Sequence, residues 1–262
     1  MPSSPAGSPA TPSPEWAEAE LVNPHASAEK AGKVRRMFAA IAGSYDLNNH
    51  VHSLWRDQAW RRCAVRAAGV RPGERVLDVA CGTGDLTQAF AASLAGAVVG
   101  LDFTREMLDI ARQKQQRLPA GSSGRMTYVE GDAQQLPFGD GEFDVVSIAF
   151  GIRNVAEPAR AVGEFFRVLK PGGRVVVLEF DRPRCTPVRW FNDFYCGWVM
   201  PRTATLISGD RSGAYRYLPK SVGTFMPRAD FVRALSGAGF ANVSDRSLSM
   251  GICVCYRGEK PR

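Results

Sequence analysis

Apolar residues along this chain follow two periodicities that alternate. Short β-branched runs at 76–79, 98–101, 126–129 and 174–180, and a near-continuous apolar run at 143–150, have the length and composition of strands covered on both faces. Between them the repeat is helical. One segment spans 86–94. A second, opened by Thr104, runs to about 117 with Met107, Leu108 and Ala111 on one face. A third is opened by Pro158 and stopped by Lys-Pro-Gly-Gly at 170–173, while Gly121 to Gly124 reads as a loop. Strands and helices alternating at these lengths predict an α/β fold with a doubly wound, mostly parallel sheet.

Ahead of the first strand, Val34, Met37, Phe38, Ile41 and Ala42 share one helical face, and Gly43 can end that helix. A polar stretch at 44–49 and a second amphipathic helix at 54–67, carrying Trp55, Trp60 and several arginines, follow. Residues 28–70 therefore read as an N-terminal helical lid on a single domain spanning 28–262, with the ligand-binding core at 71–181. Residues 1–27 hold almost no large apolar side chains and read as a disordered tail. Beyond the core, 182–262 reads as substrate-side helices and final strands. It holds an aromatic helix at 187–200, in which Trp190, Phe194 and Trp198 recur every four residues, and a loop or short helix at 211–219. A helix at 228–238 ended by Gly239 and strands near 241–248 and 250–257 complete the chain.

The first strand breaks into Gly82-Thr83-Gly84, Asp85 is placed to cap the next helix, and the second strand stops at Asp102. Glycines let backbone pass close to a ligand, and an acid at the end of the second strand can hold ribose hydroxyls, so a nucleotide-like ligand is expected across these strand ends. The dinucleotide fingerprint is not met, because Thr87 occupies its third glycine position. An ordinary tight strand-turn-helix is the structural alternative.

Composition narrows the class only modestly. The 262 residues are 45% hydrophobic and 23% charged, a globular profile, with a net charge of +7. That charge suits an anionic substrate, a membrane surface or nucleic acid, but the arginines are scattered and no base-stacking signature accompanies them, so nucleic acid is not expected. No apolar run reaches a membrane-spanning length, and no signal-peptide pattern opens the chain. Six cysteines without a Cys-x-x-Cys pair or a histidine cluster suggest a reduced, cytoplasmic protein and no metal.

Several motifs then agree in order: Asp-Val-Ala-Cys-Gly-Thr-Gly-Asp-Leu-Thr from Asp78, Phe-Gly-Ile-Arg-Asn-Val from Phe150, Arg-Val-Leu-Lys-Pro-Gly-Gly-Arg from Arg167, Leu-Glu-Phe from Leu178 and Tyr-Arg-Tyr-Leu-Pro-Lys-Ser-Val from Tyr215. Over about residues 30–258 the chain closely resembles the quinol C-methyltransferases of ubiquinone and menaquinone biosynthesis. The resemblance implies a Rossmann-like fold and S-adenosylmethionine (SAM)-dependent methylation of a ring carbon on a prenylated quinol, demethylmenaquinol first. An enzyme acting on another small lipid or phenol would share the same SAM half. Carried over by position, Thr83, Asp102, Asp132 and Ala133 fall at the SAM site. Gly82 and Gly84 make room for the methionine and ribose portions, Asp132 accepts from the adenine amine and Ala133 offers backbone. Ala149 stands where relatives often have Ser, so any contact there must come from backbone. Arg153, Asn154 and Tyr45 are the catalytic candidates: Arg153 for a phenolate or an ordered water, Asn154 for a ring oxygen, Tyr45 as a cover over the transfer centre. Their structural alternatives are an ion pair, a helix cap and lid packing. Expected partners are the quinol, the inner face of the membrane as a peripheral contact, and a second copy in a homodimer. The aromatic helix is expected either at the tail entrance and membrane surface, or in the core or a subunit interface.

Overall fold

A computed structural model describes residues 16, 17, 19–210 and 213–262. The expected tail at 1–15 and the first two residues of the 211–219 segment lie outside the described residues. Two single 3-10 turns, Glu20–Val22 and Pro24–Ala26, lead into helices α1 (Lys30–His52) and α2 (Arg56–Ala68). The alternation follows as β1 (Arg75–Val79), α3 (Asp85–Ala91), β2 (Ala97–Asp102), α4 (Arg105–Gln116), the one-turn α5 (Ala120–Ser123), β3 (Met126–Glu130), β4 (Phe143–Ala149), α6 (Pro158–Val168) and β5 (Leu169–Phe180). A long helical arm comes next: α7 (Thr186–Phe194), a π turn (Tyr195–Val199) and α8 (Met200–Ser208). The chain closes with α9 (Ala214–Thr224), α10 (Arg228–Gly237), β6 (Ala241–Leu248) and β7 (Cys253–Glu259).

The seven strands lie in the order β3-β2-β1-β4-β5-β7-β6. All neighbours are parallel except those involving β7, which runs against both β5 and β6. This is the mostly parallel, doubly wound sheet expected from the alternation. Strand residues alternate faces, so Leu77, Val79, Val146 and Ile148 pack on one side with Phe165 of α6 and Phe231 of α10. Val76, Val145 and Val176 pack on the other with Trp60 and Ala64 of α2 and Phe90 of α3. Polar groups also enter this interior, and Asp78 accepts there from Ser147 Oγ at 2.8 Å and from Thr87 Oγ1 at 2.7 Å. Burial pushes its carboxyl up to about 6. Arg174 ties the lid to the sheet, donating to the last carbonyls of α2 at Ala68 (2.5 Å) and Gly69 (2.8 Å) and pairing with Glu74.

Several boundaries differ from expectation. The expected tail ends earlier, because Trp16 and Leu21 are buried with Val34, Met37 and Ile41 of α1, and Trp16 stacks on Tyr217 at 4.5 Å. Two large apolar residues in a polar stretch were enough to dock it. Helix α1 runs through Gly43 and the polar 44–49 stretch, since Tyr45 and Asp46 have partners across the fold and Asn48 bonds the carbonyl of Ser44 at 3.2 Å. It ends instead at His52, before Leu54 and Trp55, both in left-handed backbone, so α2 starts after them. Asp85 is the first residue of α3 rather than its cap, which is Gly84, and its carboxylate takes Lys114 and Gln58. The 120–123 segment is one helical turn, and Lys170 to Gly173 open β5. The arm carrying Trp190 is continuous from 186 to 208, and its aromatics face outward rather than into the core.

Trp16→Ala should cost about 3 kcal/mol of stability, as removal of a buried aromatic does. Urea unfolding of that variant and of a chain lacking residues 1–27 should show both destabilised, whereas a dispensable tail would leave both midpoints unchanged. For Asp78 the folded carboxyl titrates above the unfolded one, so its ionisation opposes folding as pH rises from about 4 through about 6. Asp78→Asn should therefore gain on the wild type between pH 4.5 and 7.5 by something on the order of 2 kcal/mol. Parallel stability curves over that range would contradict the assignment.

Candidate active site

The chain leaves β3 and returns to β4 on the far side of β1, so the loops after β1 and β4 part at their carboxyl ends, where doubly wound sheets take ligands. Two non-glycine residues stand in left-handed backbone there, Ala80 after β1 (φ 50°) and Phe150 after β4 (φ 59°). Each conformation costs about 1–3 kcal/mol, and such strain gathers where a site needs the chain to turn sharply. Gly151 lets the two turns meet, since a Cβ there would lie 2.6 Å from that of Ala80. Gly82, at φ 55°, faces the ring of Tyr45.

These turns open a cleft of about 730 Å³, mouth included, lined by β-strand ends, by α4 and by the lid helix α1. Asp102 lies in its wall, buried, with Oδ2 accepting from the Gly82 amide and Oδ1 from the Thr104 amide, each at 2.8 Å. Burial holds its carboxyl above the ordinary value against those two amides. Asp132 lies at the mouth, exposed, with Oδ1 accepting from the amide of Gln134 at 2.9 Å, and buried Ala133 lines the wall beside it. Thr104 was expected only to open α4. It is the first residue before the helix, but its buried hydroxyl does not cap; it faces the cleft with no partner among the described residues. Its spacing, two residues beyond Asp102, was the available signal.

The catalytic candidates separate. Tyr45 reaches the cleft from α1 and packs edge-on against Phe38. Burial pushes its phenol up, so at neutral pH it donates a proton rather than accepting one. Asn154 also lines the cleft. Its Oδ1 accepts from Tyr217 at 3.0 Å, and it caps no helix, the residue before α6 being Glu157. Arg153 is not in the cleft wall. Its guanidinium is buried, with Nη1 on Glu179 Oε1 at 2.6 Å and on the Phe150 carbonyl at 2.7 Å, and Nε on Ser221 Oγ at 3.2 Å. The ion-pair alternative thus describes it, though inside the protein rather than on its surface. Thr83 and Gly84 also stand back from the cleft: Thr83 donates to Asp46 of the lid at 2.5 Å, and Gly84 opens α3 against Tyr128. The Cys81 thiol is held protonated by burial and by the Asp102 and Asp78 charges. Lys30, unremarked in the sequence, is a buried amine donating to the Val155 carbonyl at 2.6 Å, its pKa brought down to about 8 by burial and the nearby Arg153 charge.

A family model described as the ubiE/COQ5 methyltransferase family matches residues 26–260. The chain belongs to this family. It is 41% identical, over 88% of its length and 98% of the relative's, to a ubiquinone/menaquinone biosynthesis C-methyltransferase UbiE from Geotalea daltonii. It is also 41% identical, over 89% of its length and 92% of the relative's, to a demethylmenaquinone methyltransferase from Clavibacter sepedonicus. A SAM-dependent methyltransferase structure from Thermotoga maritima shares the fold, with a TM-score of 0.60 and 19% identity over 87% of this chain and 99% of that one. As a ubiE/COQ5-family enzyme the chain is a methyltransferase with SAM as methyl donor. The residues present fit SAM: an acid fixed at the end of β2, an unpaired buried hydroxyl at Thr104, and a glycine at 82 that leaves the cleft open toward Tyr45.

Asp102→Ala should weaken SAM binding by about 2 kcal/mol, since two charge-assisted hydrogen bonds to ribose would be lost. Calorimetric titration giving an unchanged dissociation constant would reject the placement.

Proposed function

We propose that this family member transfers the SAM methyl group to a ring carbon of a prenylated quinol, converting demethylmenaquinol to menaquinol, at the cytoplasmic face of the membrane. The observation that carries this reading is the cleft's lining. Beyond the two acids set aside for the nucleoside, its walls are mainly apolar, with Phe38, Met107, Phe150 and Val155 among them and Thr104 and Gln134 as further polar groups. The polar side chains left for a substrate include Asn154 and Tyr45, and no Lys or Arg lines it among the described residues. That chemistry suits a neutral aromatic ring bearing phenolic oxygens and disfavours small anionic substrates. The identity of the demethylmenaquinone methyltransferase relative supports the naphthoquinol choice.

When bound, SAM supplies an electrophilic methyl group. The residues have to align an electron-rich ring carbon with it, and orientation of this kind is worth several kcal/mol of barrier. Asn154, held by Tyr217, binds a ring oxygen and fixes the carbon beside it. Tyr45 closes the cleft from the lid and donates toward the second oxygen. As the ring carbon–methyl bond forms, the sulfur–methyl bond breaks, and the ring proton departs to water. Arg153 acts at one remove. By tying the turn after β4 to Glu179 of β5 it positions Asn154, and breaking so buried a pair costs about 3–5 kcal/mol.

Methyl transfer from labelled SAM should therefore reach reduced demethylmenaquinone in preference to simple phenols, with the product mass raised by one methylene. Tyr45→Phe and Asn154→Ala should each lower kcat roughly 10- to 100-fold while leaving the SAM dissociation constant within about twofold. Arg153→Ala should instead lower the melting temperature together with activity. Transfer to phenols alone, or a loss in SAM affinity that accounts for the whole rate loss, would contradict this reading.

A further inference from the structure

The helical arm from 186 to 208 is held in place by very little burial. Neither α7 nor the π turn buries a residue, and α8 buries only Ala204. Its outer side is an aromatic ridge: Trp190 stacks on Phe194 at 6.3 Å, and Phe194 on Trp198 at 5.8 Å, with the rings within 14° of parallel. All three are about half exposed or more, and Leu206, about two turns past Trp198, is 85% exposed. The chain elsewhere adds to this surface. Tyr195 is hydrogen-bonded at 2.9 Å to His52, two residues before the exposed Leu54 and Trp55, and Gly251, next to exposed Met250, lies near Pro183 just ahead of the arm. Large apolar side chains repeated along one exposed helix face mark an interaction surface.

The charges along it are mostly basic. From Arg182 to Ser208 there are four arginines and a single acid, Asp193, which Arg182 occupies at 2.6 Å. Arg202 lies over the Trp198 ring at 4.5 Å, and Trp is among the side chains enriched at membrane–water interfaces. In a two-fold pairing this surface would meet itself, setting arginine rim against arginine rim, whereas an anionic headgroup layer would neutralise each. The inner side of the same arm packs, through Ala204 and Met200, on the α1 cluster of Val34, Met37 and Ile41, and α1 carries Tyr45 to the cleft.

We propose that this face of the arm, with the Leu54–Trp55 corner and Met250, docks on an anionic lipid bilayer and sets the cleft at the membrane surface, where a prenylated ring can enter. The site lies beside the cleft, and the inference rests on the quinol reading for its purpose but not for its test. Among the described residues no helix is long and apolar enough to cross a membrane, so the contact is interfacial.

Full-length protein should co-sediment with vesicles of phosphatidylglycerol and phosphatidylcholine and remain unbound with phosphatidylcholine alone. Added salt should weaken that binding, and Arg184→Gln should weaken it about fivefold. The pair Trp190→Ser with Trp198→Ser, and separately the single change Leu206→Glu, should reduce vesicle binding at least tenfold while SAM affinity and melting temperature hold. Wild type that ignores anionic vesicles, or variants that bind as well as wild type, would overturn the proposal. So would a dimer in sedimentation velocity that these same changes dissociate, which would make the face a self-interface. Methylation of a tail-less quinol without vesicles, measured in parallel, separates the two readings. Turnover without vesicle binding refutes the docking face alone, and vesicle binding without turnover refutes the quinol chemistry alone.

Discussion

One carboxylate closes both turns at the heart of this site. Asp102 takes the amide of Gly82 on one oxygen and that of Thr104 on the other, so the loop leaving β1 and the start of α4 are fixed to a common point. A parallel sheet ends its strands in loops whose amides have no ladder partner, and burying them without an acceptor would cost free energy for each. The acid settles that locally and leaves its remaining lone pairs toward the cleft. Gly82 can adopt the necessary left-handed backbone, and Gly151 lets the turn after β4 come against Ala80. The strained residues Ala80 and Phe150 are tolerated because everything around them is fixed.

The second level of organisation couples the lid to that point. Asp46 of α1 receives Thr83 of the glycine turn and Lys114 of α4, so the lid is tied directly to the loop after β1. On the other side of the cleft, the Arg153–Glu179 pair and the Tyr217–Asn154 hydrogen bond join β5, the turn after β4 and α9 into one buried network. Trp16 stacks on Tyr217, so the segment just before the lid braces the same network from outside. Tyr217 is kept protonated by burial, its pKa pushed up to about 12, which preserves it as the donor to Asn154.

The sheet was legible in the sequence because buried parallel strands are uninterrupted β-branched runs, and the helices between them carry clear stops such as Gly239. The acid at the end of β2 and the glycine turn could be read for the same local reason. What could not be read depended on contacts between distant segments. Nothing near Gly43 reveals that Asp46 has a partner at Thr83, so the helix was expected to stop there. Trp16 and Leu21 are sparse in sequence and acquire meaning only against α1 and Tyr217. Arg153 looks free at the end of a strand until Glu179, in the next strand of the sequence, is placed beside it. The aromatic repeat at 190, 194 and 198 fits a core helix as well as an exposed one, because periodicity fixes which residues share a face and leaves open what covers it.

On this reading the strand ends of β1, β2 and β4 form the SAM cleft, with Asp102 as its fixed anchor. A crystal structure of the protein with S-adenosylhomocysteine tests it most directly. It should show the Asp102 carboxylate within about 3 Å of both ribose hydroxyls, with its bonds to Gly82 and Thr104 retained and the adenine between Ala133 and the lid. A nucleoside seated away from Asp102, or an Asp102 turned from both amides to reach it, would contradict the account.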